Sequence, residues 1–118
     1  MKKNILKEKS FAFAIRIVKL YQHLRKELNE YVLSKQVLRS GTSIGASIRE
    51  SVNAASKRDF IHKLTVALKE ADETSYWLEL LYRTDLLNEK TYQSLLDDCT
   101  EIIRLLTSSL KTAKQVTA

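Results

Sequence analysis

The chain has 118 residues, 44% hydrophobic and 29% charged, with a formal net charge of +6. That length holds one core comfortably and excludes two domains of ordinary size. With two glycines and no proline, it lacks the residues that turn a chain through sandwiches and barrels, so the expected class is all-α.

The first periodic segment spans about residues 6–28. Phe13, Ile17, Leu20 or Tyr21, Leu24 and Leu28 follow helical spacing along one face, and Phe11, Ile15 and Val18 make a second, shorter ridge. Arg16, Lys19, His23 and Lys26 fill the solvent side. A helix apolar on two faces is either sandwiched within its own core or packed against another subunit. Phe13, Ile17, Leu20 and Leu24 are the candidates for a contact between copies.

A second helix is expected over 31–55, with Val37, Ile44, Ile48, Val52 and Ala55 near one face. Gly41 and Gly45 fall inside it, each costing about 1 kcal/mol relative to alanine. Their four-residue spacing puts both on one side, where a neighbouring helix can approach closely; a break near Gly41 is the alternative. Ser56-Lys57-Arg58-Asp59 then has the form of an N-cap serine with an acid three positions on. It opens a third helix over 57–83 carrying Phe60, Leu64, Ala67, Ala71, Leu78 and Leu81. Asn88 offers the next cap, and Tyr92, Leu95, Cys99, Ile102, Leu106 and Leu110 define a fourth helix over 89–114. Four amphipathic helices with short connections pack most simply as an antiparallel up-down-up-down four-helix bundle, a single domain over 1–118.

The residues offer little chemistry. Neither His23 nor His62 has the glutamate three positions before it that a di-iron bundle needs, and one cysteine with two separated histidines supplies too few ligands for zinc. Gly41-Thr42-Ser43-Ile44-Gly45 is followed by Ala46 where a phosphate-binding loop needs lysine. Ser40, Ser43 and Ser47 have no histidine placed beside them and read as small residues at a tight helix contact. No catalytic residue, metal or cofactor is expected. Glu70, Glu73 and Trp77 flank the third helix's stripe and are expected to pair with a basic residue of the neighbouring helix while the indole covers the core edge. Cys99 has no partner for an internal disulfide, the opening MKKNILKEKSFAF lacks a sustained apolar segment, and no stretch approaches the roughly 20 apolar residues of a membrane span. A cytoplasmic protein with no membrane contact is expected.

Charge is the one functional irregularity. Residues 1–59 carry 13 Lys and Arg against 5 Asp and Glu, while residues 60–118 carry 7 against 9. Lys57 and Arg58 stand in the first turn of a helix, where the macrodipole favours carboxylates by about 0.3–1 kcal/mol each. Cations kept at such a place, beside free helix amides, suit a phosphate. Arg49 and Lys63 are expected at the same corner, with Arg39 and Lys35 farther back.

Three blocks, Leu38-Arg39-Ser40-Gly41-Thr42-Ser43-Ile44-Gly45-Ala46-Ser47, then Ser56 to Leu64, then Ala67-Leu68-Lys69-Glu70-Ala71-Asp72-Glu73-Thr74-Ser75-Tyr76-Trp77-Leu78, closely resemble a bacterial four-helix-bundle family. That family is named for reading frames in intervening sequences of large-subunit ribosomal RNA genes, and the similarity covers nearly the whole chain. The resemblance implies a cyclic homopentamer with no known enzymatic activity. A relative of that family, the accessory variability determinant of diversity-generating retroelements, binds nucleic acid and a reverse transcriptase through a basic surface. By that resemblance Arg39, Lys57, Arg58 and Lys63 are the candidates for such a surface here.

The functional expectation is a non-enzymatic oligomeric adaptor whose basic residues Arg39, Arg49, Lys57, Arg58 and Lys63 contact RNA, DNA or a reverse transcriptase without sequence specificity. The alternative is a purely structural or protein-interaction module that binds no nucleic acid.

Overall fold

The computed structural model describes residues 4–115 and contains four α-helices: α1 (Ile5–Lys26), α2 (Leu33–Val52), α3 (Lys57–Arg83) and α4 (Glu89–Gln115). Neighbours pack in the cyclic order α1, α2, α3, α4 and back to α1, and the backbones of the two diagonal pairs do not approach closely, so the chain is a four-helix bundle. Partners reverse in order across each seam. Lys9 pairs with Glu101 and Arg16 with Asp98; Arg39 meets Glu73 whereas Glu50 meets Lys63; Ala71 meets Cys99 whereas Tyr82 stacks on Tyr92. Each helix therefore runs antiparallel to its neighbours.

The core is the closure of four apolar stripes. Phe13, Ile17, Leu20 and Leu24 of α1 join Val37, Ile44 and Ile48 of α2, Leu64, Leu78 and Leu81 of α3, and Leu95, Ile102 and Leu106 of α4. This corrects one sequence expectation. Phe13, Ile17, Leu20 and Leu24, the candidates for a contact between copies, are 1%, 0%, 6% and 0% exposed within a single chain. They cannot reach a second one without unfolding the first. The α1 ridge left outside is the other one, with Phe11, Ile15 and Val18 at 55%, 45% and 38% exposure.

What decides which ridge turns inward is the surface of α2. A Cβ on Gly41 would lie 2.8 Å from both Cγ1 and Cγ2 of Ile17, so the bare backbone is the socket for that side chain. A Cβ on Gly45 would stand 3.4 Å from the Ser10 carbonyl oxygen. The helix runs unbroken through both glycines, as the close-packing reading requires and the alternative of a break near Gly41 does not. One residue before Gly41, the buried Ser40 hydroxyl lies 2.9 Å from that of Thr74 and keys α2 to α3.

The ends of α3 and α4 match the sequence boundaries to within a residue; the α1–α2 connection does not. Helix α1 stops at Lys26 rather than 28, and α2 spans Leu33–Val52 rather than 31–55. Asn29 adopts a left-handed φ of 52° and the Glu30 amide reaches back to the Leu24 carbonyl at 2.9 Å, which ends α1. At the other end α2 gives way to a turn, leaving Val52 49% exposed, so neither it nor Ala55 extends the inward stripe.

The start of α2 has an unusual cap. Val32 at the N-cap position has no side-chain acceptor, and Glu30 takes over: its carboxylate accepts from the amides of Val32, Leu33 and Ser34 at 3.1, 2.8 and 2.7 Å. Partial burial by itself would raise the Glu30 pKa, but these three hydrogen bonds outweigh it and hold the carboxyl below its ordinary value of 4.5. A depressed acid stabilises the fold above its unfolded pKa and loses that contribution as pH falls through its folded pKa. Glu30→Gln should therefore cost about 1 kcal/mol at neutral pH. In urea unfolding followed by circular dichroism, the gap from wild type should narrow as pH drops below 4.5.

Helix α3 begins as its sequence signature requires, with the Ser56 Oγ accepting from the Asp59 amide at 3.0 Å and Asp59 Oδ2 accepting from the Ala55 amide at 3.2 Å. It ends in a Schellman turn: Asp85 has φ 65°, its amide bonds to the Tyr82 carbonyl at 3.1 Å, and Leu86 bonds to Leu81 at 2.9 Å.

Candidate functional site

Because neighbouring helices are antiparallel, segments of all four helices meet at one end of the bundle: the starts of α1 and α3 and the finishes of α2 and α4. Asn4, Val52, Ser56 and Ser109 line one depression there, and Lys57, Phe60, Ser108 and Thr112 line the adjoining one. Lys57 and Arg58 are exposed in the first turn of α3 at this end, and Lys57 lines both depressions. Among the described residues, neither takes part in a salt bridge. Asp59 offsets part of their clash with the macrodipole.

The other predicted cations are distributed less uniformly. Lys63, one turn into α3, bridges to Glu50 of α2 at 3.0 Å; that hydrogen bond and charge raise its ammonium pKa. Arg49 lies with its guanidinium 5.6 Å from the Phe11 ring centroid, a cation–π contact that ties the finish of α2 to α1. Arg39 is elsewhere, midway along the α2–α3 seam. It bonds to Glu70 at 3.3 Å and to Glu73, and the Trp77 indole donates to Glu73 at 3.2 Å. The acid–base pairing expected of Glu70, Glu73 and Trp77 is therefore present, and Arg39 is its neutralising partner rather than part of the basic corner.

Sequence reasoning missed three contributors. Lys7 of α1 lines a depression together with Arg49 and Phe11, and Lys111 and Lys114 lie exposed near the finish of α4. The signal was available in the topology: an up-down bundle returns α1 and α4 to the α2–α3 connection. With them, this end carries Lys7, Arg49, Lys57, Arg58, Lys63, Lys111 and Lys114 against Glu8, Glu50 and Asp59. The opposite end is balanced, with Arg25, Lys26, Lys35, Arg83 and Lys90 against Glu27, Glu30, Glu79, Asp85 and Glu89.

Groups suited to bond-making chemistry are scattered. Among the described residues, no three His, Cys, Asp or Glu side chains gather as metal ligands, and His23 and His62 are exposed on different helices. Cys99 is buried with its Sγ 3.3 Å from the Ala71 carbonyl oxygen; burial, with Asp72 and Asp98 adding to it, pushes the thiol pKa up to about 12. The folded protein should accordingly leave Ellman's reagent unreacted at pH 8, and release one thiol equivalent only after unfolding in guanidinium. Among the described residues, no helix is long and apolar enough to cross a membrane.

A family model described as 23S rRNA-intervening sequence protein matches residues 2–108. The chain belongs to that family. A solved relative is similar over most of both chains: a protein of unknown function from the S23 ribosomal protein family of Bacteroides thetaiotaomicron VPI-5482, determined as a crystal structure. It shares 57% sequence identity, covers 91% of this chain and 99% of its own, and superposes with a TM-score of 0.90. No curated protein matches the chain. Membership fixes the bundle and leaves the role of its basic end to be argued from the side chains.

Proposed function

We propose that this protein is a non-enzymatic adaptor that docks its basic end on a nucleic-acid backbone and assembles through the outer ridge of α1. The observation that carries the first half is the pair Lys57 and Arg58: exposed, outside every salt bridge among the described residues, and held at a helix start where their charge is opposed. A cation there costs stability unless an anion is its working partner. The surrounding surplus of Lys and Arg, gathered from four helices, supplies the long-range attraction that draws a polyanion to that end.

Contacts of this kind read phosphate rather than base, so the binding is indifferent to sequence and weakens steeply with salt. Arg39 is not part of the surface, because Glu70 and Glu73 already occupy it. Assembly rests on Phe11, Ile15 and Val18, which leave three adjacent apolar side chains in water on one line of a helix. The five-fold ring implied by the sequence resemblance would repeat the basic end five times, and repetition multiplies weak contacts into useful avidity.

Filter binding in rising salt tests the reading. Wild type should retain a labelled RNA or DNA at low salt, with affinity falling on a log–log plot at a slope near −0.9 per neutralised phosphate. Lys57→Glu with Arg58→Glu should lower retention at least about tenfold and flatten that slope by roughly two contacts. Equal retention by the double variant would remove this end from the function and favour a purely structural or protein-interaction module.

A further inference from the structure

The bundle is polarised in a second way. Of its nine aromatic residues, six (Tyr21, Tyr31, Tyr76, Trp77, Tyr82 and Tyr92) lie in the half of the bundle opposite the basic end. Several are already engaged there: Tyr82 stacks on Tyr92 at 4.5 Å, Trp77 meets Tyr76 edge-on at 5.0 Å, and Arg25 lies over both Tyr21 and Tyr31. Phe13 is buried in the core. Only Phe60 and Phe11 approach the cations. Phe60 is half-buried and packed on the core, and Phe11 has Arg49 over its ring.

We propose that the basic end selects double-stranded over single-stranded nucleic acid, an inference that rests on the nucleic-acid reading above and specifies its partner. Single strands are gripped by combining phosphate contacts with base stacking on free aromatic rings, worth about 1–3 kcal/mol per base. At this end the one exposed ring, Phe11, has Arg49 over it, so the surface offers phosphate contacts without a series of rings on which successive bases could stack. What remains is the electrostatic contribution, and a duplex presents the denser target, with one charge per roughly 1.7 Å of axis and more counterion release per contact. The face is also of a suitable size. The bundle is 25 × 21 Å across its long axis, enough to lie along about a dozen duplex charges at that spacing. Among the side chains lining the two depressions beside Lys57 are four hydroxyls, those of Ser56, Ser108, Ser109 and Thr112, and such groups contact phosphate and sugar without reading bases.

Fluorescence anisotropy on the full chain provides the test, with a mixed-sequence duplex of about 25 base pairs and an oligothymidylate of equal length, each titrated at several salt concentrations. The duplex should bind at least about tenfold tighter and with the steeper salt dependence. Lys57→Glu with Arg58→Glu, two exposed changes whose folding is checked by circular dichroism, should weaken duplex binding at least about tenfold. If the oligothymidylate binds equally or more tightly, and the double variant weakens it, the duplex preference is overturned while the nucleic-acid reading stands. If wild type binds neither probe at low salt, both fall together.

Discussion

Ile17→Ala should destabilise the fold by about 2–5 kcal/mol, a large share of the roughly 5–15 kcal/mol available to a domain of this kind. Ile15→Lys, two residues away, should leave helix content unchanged. The contrast follows from position alone: Ile17 is 0% exposed and seated over the bare backbone of Gly41, whereas Ile15 is 45% exposed on the outer ridge. Truncating Ile17 opens a cavity between α1 and α2 that a rigid glycine-faced helix cannot close. A charge at position 15 instead adds a solvated lysine to the surface through which copies are proposed to meet. Its expected effect is on mass by light scattering, with assembly lost while the protomer stays folded. Urea unfolding of Ile17→Ala at unchanged midpoint, or loss of helix in Ile15→Lys, would exchange the assigned roles of the two ridges.

The second large effect concerns the glycines themselves. Alanine is the better helix former by about 1 kcal/mol, so Gly→Ala inside α2 should help wherever space allows. At Gly45 the new methyl would stand 3.4 Å from the Ser10 carbonyl oxygen, a contact that small adjustments accommodate, and Gly45→Ala should fall between neutral and about 1 kcal/mol more stable. At Gly41 it would enter to 2.8 Å of two carbons of Ile17. Ile17 is β-branched, stiff at χ1 and fully buried, so it cannot swing aside. Gly41→Ala should therefore lose about 1–3 kcal/mol to overpacking, more than the propensity gain returns. Thermal unfolding of the two variants side by side checks the sign at each site.

Both predictions turn on the feature hardest to see in the sequence. The stripes of α3 and α4 were legible because each of those helices has one dominant apolar face, and Ser56 with Asp59 marks the start of α3 by a local hydrogen-bond pattern. On α1, however, Phe13-Ile17-Leu24 and Phe11-Ile15-Val18 both follow helical spacing. The choice between them belongs to α2, whose glycines admit Ile17, and to the volume the other three helices leave open. The Glu30 cap was hidden for a related reason. Capping signatures look for a short polar side chain at the N-cap, and here a longer carboxylate reaches forward from two residues upstream of Val32.

The candidate site was legible only in its local part. Lys57 and Arg58 break a rule visible within four residues, and they are where the sequence placed them. Arg39 looked equivalent because its neutralising partners, Glu70 and Glu73, lie 31 and 34 positions away. Lys7, Lys111 and Lys114 went unnoticed because they join the surface through topology. Charge is a property of a surface, and one end of an antiparallel bundle is assembled from helix starts and helix finishes in alternation.

The central claim is that one end of this bundle is the docking surface. Amide chemical-shift mapping of the isotope-labelled protein, titrated with a short duplex at low salt, addresses it most directly. The expected perturbations cluster around Lys7, Arg49, Lys57, Arg58 and Lys111 and disappear as salt is raised. Shifts centred instead on Tyr31, Tyr76 and Tyr92, or a spectrum that the duplex leaves unchanged, would contradict the account.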